Sequence, residues 1–209
     1  MKKAFTVCAL AVILTFAYNS ELLAGWLIYH KPEFRGKIID ADTKAPIAGA
    51  VVVAIYNSYP IISGPGGGSA KIIKIKEALT DESGVFHIGS YTTLIQPNSV
   101  EDTVTFIIFK PGYSSYPNFS TYPFMYIDIY SLFTSELGTK RKIIKNSEEI
   151  LITNGVVELK RLKTWDERRE AQRFLIANQP VKHWPILHKM VEEEHEWIKN
   201  NRGWKLEQP

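Results

Sequence analysis

Between Phe34 and Leu162 the apolar residues fall in short runs rich in β-branched side chains, and turn-forming residues separate the runs. That pattern predicts strands rather than helices. The runs place strands at 35–40, 50–57, 71–79, 85–88, 103–110, 125–130, 149–153 and 156–160. Ile73 and Ile75 alternate with Lys74 and Lys76, as in a strand with one face in the core and one in water. Asp81-Glu82-Ser83-Gly84 and Asn154-Gly155 mark turns between apolar runs. No long helical period appears before residue 164.

The C-terminal part changes period. Thr164-Trp165-Asp166-Glu167 has the form of a capping box, in which the Thr hydroxyl and the Glu carboxylate satisfy backbone donors at a helix start. This helix is expected to reach about Ala177 and to end at Asn178 and Pro180. A second helix is expected from Trp184-Pro185 to about Asn200. Its apolar stripe is Ile186, Leu187, Met190, Val191, Trp197 and Ile198.

At the other end, Lys2 and Lys3 precede an apolar run from Ala4 to Ala17. The run is shorter than the ~20 residues of a spanning helix and fits the core of a secretory signal. Residues 1–24 are expected to form a signal peptide cut between Ala24 and Gly25, with Ala17 as a second candidate cut. The alternative is an uncleaved anchor, a membrane tether through residues 4–29, because a further apolar patch runs from Leu22 to Tyr29. Cys8 lies inside the first run after Val7, a poor context for lipidation. Either form implies export, to the periplasm or cell envelope.

Three blocks of the chain resemble a known family. Gly36-Lys-Ile-Ile-Asp40-Ala-Asp-Thr43-Lys-Ala-Pro46-Ile-Ala-Gly49-Ala50 resembles the opening of the carboxypeptidase regulatory-like domain. Thr80-Asp81-Glu-Ser-Gly84-Val-Phe86 resembles its second signature, and Lys110-Pro-Gly112-Tyr113 its third. The resemblance implies a small transthyretin-like (prealbumin-like) β-sandwich and a non-catalytic module that binds or supports something. Lys44 stands where the family often has glycine, and residues 59–70 look like an insertion. The expected organisation is a sandwich at 25–113, an aromatic-rich extension with further strands at 114–163, and a helical segment at 164–209. The expected fold class is therefore mainly β, a transthyretin-like β-sandwich with two C-terminal α-helices.

Composition narrows the function. The chain has 209 residues, 45% of them hydrophobic and 22% charged, with a net charge of +3. A balance so close to neutral gives no reason to expect nucleic acid. A single cysteine excludes an intramolecular disulfide and a cysteine-based zinc finger. No cofactor is expected.

Candidate chemistry is sparse. His188, Glu192 and His195 share one helix face and are weak metal candidates; the acidic run from Glu192 to Glu194 reads instead as a solvated face. His30-Lys-Pro-Glu33 has a zinc-site spacing but precedes the sandwich. Gly66, Gly67 and Gly68 belong to a glycine-rich loop that lacks the Gly-Lys-Ser/Thr order of a phosphate loop; with the aromatic stretch it is a candidate ligand or partner surface. Tyr113, Tyr116, Tyr122, Tyr126 and Tyr130 crowd one stretch with Phe119, Phe124 and Phe133. Exposed, such rings would stack on sugars or anchor a protein partner; buried, they would pin a loop to the sandwich. Lys140-Arg141-Lys142 with Lys145 reads as a solvated turn. The expected function is an exported non-catalytic scaffold or partner-binding module, its partner an envelope protein. One alternative is a carbohydrate-binding module using residues 113–133, with a glycan as partner. Another is a metal-dependent hydrolase built on the histidine face.

Overall fold

The computed structural model describes residues 28–61, 69–95, 98–116, 129–134, 136–145, 148–172 and 183–203. Within them the strands are β1 (Ile28–Lys31), β2 (Phe34–Asp40), β3 (Val51–Pro60), β4 (Lys71–Leu79), β5 (Val85–Ile88), β6 (Tyr91–Leu94), β7 (Ser99–Phe109), β8 (Lys140–Lys145), β9 (Glu148–Thr153) and β10 (Val156–Leu159). The helices are α1 (Ile129–Thr134), α2 (Trp165–Gln172) and α3 (Pro185–Asn200).

Two three-stranded sheets face each other. In one, the order is β10-β2-β5, with β10 parallel and β5 antiparallel to β2. In the other, β4-β3-β7 is antiparallel throughout. The β1–β6 and β8–β9 ladders are separate antiparallel pairs. Alternation along β2 turns Phe34 and Ile38 inward, and they meet Tyr56, Val104, Phe106 and Ile108 of the other sheet. The Phe34 and Phe106 rings meet edge-on, 5.0 Å apart. Each such buried side chain stabilises the sandwich by roughly 1.5–3 kcal/mol relative to exposure. The chain is thus a mainly-β protein with a sandwich core.

β3 is apolar without alternation because both of its faces are covered. Val52, Ala54 and Tyr56 face the sandwich core; Val51, Val53 and Ile55 face the other way, onto α3. There Trp184, Leu187 and Val191 are buried against them, with Ile186 and Met190 partly so. The result is three layers: sheet, sheet and helix. Glu77 of β4 seats the helix, its carboxylate accepting the amides of Ile186 and Leu187 at 3.0 and 2.8 Å. Those amides have no partner inside the helix.

Several expectations change. The strand expected at 125–130 gives way to α1 from Ile129, while 125–128 lies outside the described residues. Leu132 and Phe133 are both fully buried. Neighbouring residues in a strand point to opposite faces, so a helical turn is what lets both enter the core. Phe133 stacks edge-on against Phe86 and Phe106. β1, β6 and β8 were not expected, and β7 starts at Ser99. The cluster Lys140-Arg141-Lys142 with Lys145 lies in β8, not in a turn; Lys145 pairs with Glu148 across the ladder. Asn154-Gly155 does not close a hairpin within one sheet. It carries the chain from β9, paired with β8, to β10, paired with β2. Gly155 has φ +70°, and a Cβ there would come within 2.5 Å of Leu137 Cδ1. Since β10 bonds to β2, the sandwich draws on strands beyond residue 113.

Candidate binding surfaces

The polar residues of the three sequence blocks are consumed in turns. Asp40 Oδ1 accepts the amides of Asp42 and Thr43, both at 2.9 Å. Burial tends to raise the Asp40 pKa, but these amides and the Tyr113 hydroxyl outweigh it, and the carboxyl titrates below its usual range. Asp81 Oδ1 accepts from the Ser83 hydroxyl at 2.7 Å and from the amides of Val85 and Ser83 at 2.8 and 2.9 Å. These bonds likewise hold its pKa low. Thr80 ties the first two blocks together: its hydroxyl donates to Ile47 O at 2.7 Å and accepts from Ala50 N at 2.8 Å. Gly84, at φ +76°, sits where a Cβ would be 2.5 Å from Ile38 O. Each of these groups thus bonds backbone in or beside a turn.

The aromatic stretch divides. Tyr116 is buried at 8% exposure, which corrects its assignment to a ligand surface. Its backbone bridges to Ile108, and burial pushes its pKa to about 12. Tyr113 is partly buried against the core, and its hydroxyl bonds Asp40. Its pKa is raised by burial and by the Asp40 charge, while Arg161 opposes the shift. Tyr130 lies in the first turn of α1, and its side chain is outside the description. Tyr122, Tyr126, Gly66, Gly67 and Gly68 lie outside the described residues, as do residues 1–24 and the end of the first C-terminal helix expected near Ala177.

The histidine face is not assembled as a metal centre. His188 Nε2 lies 3.0 Å from Glu192 Oε1, an ordinary i,i+4 pair. His195 is exposed. Among the described residues, no group of three His, Cys, Asp or Glu could hold a metal ion. His30 and Glu33 also diverge: His30 Nδ1 pairs with Thr92 Oγ1, while Glu33 binds His87 and Arg35.

A pocket of about 330 Å³ lies between the third block and the C-terminal helices. Pro111, Gly112, Tyr113, Arg161, Leu162, Arg168, Trp197 and Asn201 line it. One lining residue, Arg168, is held from behind by a buried ion pair. Arg168 Nε donates to Glu194 Oε1 at 2.6 Å, and Arg168 Nη2 bonds Glu194 Oε2. Glu194 is 2% exposed. The Arg168 guanidinium also stacks on Trp197, 3.4 Å from the ring centroid. Trp165 Nε1 donates to Ile198 O at 2.7 Å, a second tie between α2 and α3. The acidic run from Glu192 to Glu194 hid this residue from sequence reading, because Glu194 is buried while Glu192 and Glu193 are exposed. Its spacing from Leu187 and Val191 was the available signal.

The second feature is an apolar end of the sandwich. Ile28 pairs with Leu94 across β1–β6, and Tyr59 pairs with Val100 across β3–β7. All four side chains are exposed, Leu94 at 76%, and Ile61 is exposed beside them. The two ladders meet at Glu101, which accepts His30 N at 2.8 Å and pairs with Lys31 at 3.0 Å. The apolar pairs therefore flank one junction. Among the described residues no helix is long and apolar enough to cross a membrane. Comparisons of the chain with protein-family models, with curated proteins and with solved structures find no match.

Proposed function

We propose that this chain is an exported, non-catalytic module with a transthyretin-like sandwich, and that it docks an envelope protein through its apolar end. The observation that carries the reading is two exposed apolar cross-strand pairs, Ile28 with Leu94 and Tyr59 with Val100, in two ladders joined at Glu101, with Ile61 exposed next to the second. Contiguous apolar surface kept in contact with water marks interaction sites. The transthyretin-like assignment rests on the three blocks. Export rests on residues 1–24. The non-catalytic reading is supported by Asp40, Thr80 and Asp81, which bond backbone groups in turns and between the first two blocks.

A protein partner suits this end better than a glycan. Its side chains are largely aliphatic, and sugars are recognised by aromatic faces and polar groups. Tyr113 and Tyr116, expected to offer rings to a sugar, are turned toward Asp40 and the core.

The test uses Leu94→Asp combined with Val100→Asp. Both positions are exposed, so folding is retained. In a gentle envelope extract, the wild-type protein is expected to elute in a defined complex, well above the mass of the single chain. The double variant is expected near the size of the chain alone. Wild type and variant eluting together would refute the docking surface. Mass analysis of the mature protein checks export separately: an N-terminus at Gly25 is expected, and Met1 would mean a retained anchor.

A further inference from the structure

The pocket between the third block and the C-terminal helices is separate from the apolar end, and its chemistry is different. Two guanidinium groups, Arg161 and Arg168, line it, and no carboxylate does. Arg168 is neutralised by buried Glu194 and has one face on Trp197. Arg161 is exposed and has no ion-pair partner among the described residues. The backbone that carries Arg161 is fixed. It forms a bridge with Tyr113, and on either side Leu162 N donates to Gly112 O at 3.0 Å and Ser114 N to Lys160 O at 2.8 Å. One guanidinium with no ion-pair partner among the described residues, its nearest acidic neighbour Asp40 engaged by the Tyr113 hydroxyl, thus stands on a fixed frame beside a concavity.

We propose that this pocket binds a small carboxylate ligand. The Arg161 guanidinium holds the carboxylate through two parallel N–H donors, the geometry in which the two groups fit best. The carbon frame of the ligand lies against Leu162 and Trp197; Asn201, whose Nδ2 donates to Trp197 O at 2.8 Å, also lines the pocket and has its side-chain oxygen for a polar substituent. The charge count selects a monoanion. Glu194 already cancels Arg168, so a phosphate dianion would meet only one uncompensated cation. Volume selects a small ligand, since about 330 Å³ lies at the low end of ligand pockets.

The test is calorimetric titration of the full mature chain with sodium glucuronate and with sodium butyrate, both monoanions. Glucose serves as the neutral control and sodium phosphate as the dianion, with ionic strength held constant by chloride. Saturable binding of at least one carboxylate is expected, with none for glucose and weaker binding for phosphate. Arg161→Gln is expected to weaken it about tenfold or more, the value of a charge-assisted bond. The unliganded melting temperature should stay unchanged, because Arg161 is exposed. Backbone amide shifts on binding should centre on Gly112, Leu162 and Asn201. Binding of glucuronate alone would identify an acidic sugar; equal binding of both would mean that the carboxylate itself is what the pocket reads. The proposal is overturned if neither carboxylate binds, if phosphate binds more tightly, or if Arg161→Gln binds like wild type. These outcomes do not bear on the apolar docking end, which Leu94 and Val100 test.

Discussion

Lys44 has φ +60°, a left-handed conformation that side chains with a Cβ rarely adopt. It closes the turn after Asp40, its amide donating to Asp40 O at 2.9 Å, a conformation that glycine adopts without strain. Its ammonium pairs with Glu158 at 2.8 Å on the exposed surface, which recovers little. Lys44→Gly should keep stability within about 0.5 kcal/mol of wild type, whereas β-branched Lys44→Val should lose about 1–2 kcal/mol; urea denaturation distinguishes them. Asp40 and Asp81 give the residue-scale pH dependence. Their folded-state pKa values are lowered, so the unfolded chain binds their protons more readily. The stability they contribute is present above the ordinary aspartate value of about 3.9 and is lost as pH falls through the lower folded value. Asp81→Asn keeps the accepting oxygen and removes the titration. Its stability should therefore fall less steeply than wild type below about pH 4, which acid-range urea melts would measure. In the core, the hydroxyls of Tyr29 and Tyr56 are buried with no hydrogen-bond partner among the described residues. Burial pushes the Tyr56 pKa to about 12. Tyr56→Phe should therefore be neutral or stabilising by up to about 1 kcal/mol, measured as a raised urea midpoint.

At the scale of elements, the capping box forms as its residue types require. Glu167 N donates to Thr164 Oγ1 at 3.2 Å, and Thr164 N donates to Glu167 Oε2 at 3.1 Å. Thr164→Ala should lower stability by about 1 kcal/mol. For α3, Leu187→Ala should cost about 2–5 kcal/mol, because Leu187 is 3% exposed against the outer face of the β4-β3-β7 sheet. The helices were legible because capping residues and apolar spacing are local signals. The central strands were legible for the same reason: β2, β3, β4 and β5 follow their apolar runs. β1 and β6 were not, since each is short and made into a strand by its partner. α1 was misread because β-branched and aromatic residues suit a strand, and only tertiary packing of Leu132 with Phe133 selects the helix. The Asn154-Gly155 turn was read correctly as a turn, but no local signal says that β10 joins β2 in parallel.

For the whole molecule, the joint between α2 and α3 rests on Arg168 and Glu194. Removing one partner leaves a buried charge uncompensated, so Arg168→Ala should cost about 3–5 kcal/mol. Replacing both, as Arg168→Met with Glu194→Leu, should recover most of it, and a double-mutant cycle in urea would show the coupling. The candidate surfaces were only partly legible. Sequence reading pointed to Tyr113, which does line the pocket, but as an exposed ring rather than a partner of Asp40. It missed Arg161, Arg168 and Trp197, because residues drawn from three separate segments carry no common spacing. It also missed the apolar end, where Ile28 meets Leu94 and Tyr59 meets Val100 only through strand pairing.

The central claim is that this end docks a protein partner, and photo-crosslinking tests it most directly. A benzophenone side chain at Leu94 or at Val100 is irradiated in living cells that express the protein, with Lys189 on α3 as the control position. The account predicts one discrete adduct with the same envelope protein from both Leu94 and Val100, and none from Lys189. No adduct from either strand position, or the same diffuse products from all three, would contradict it.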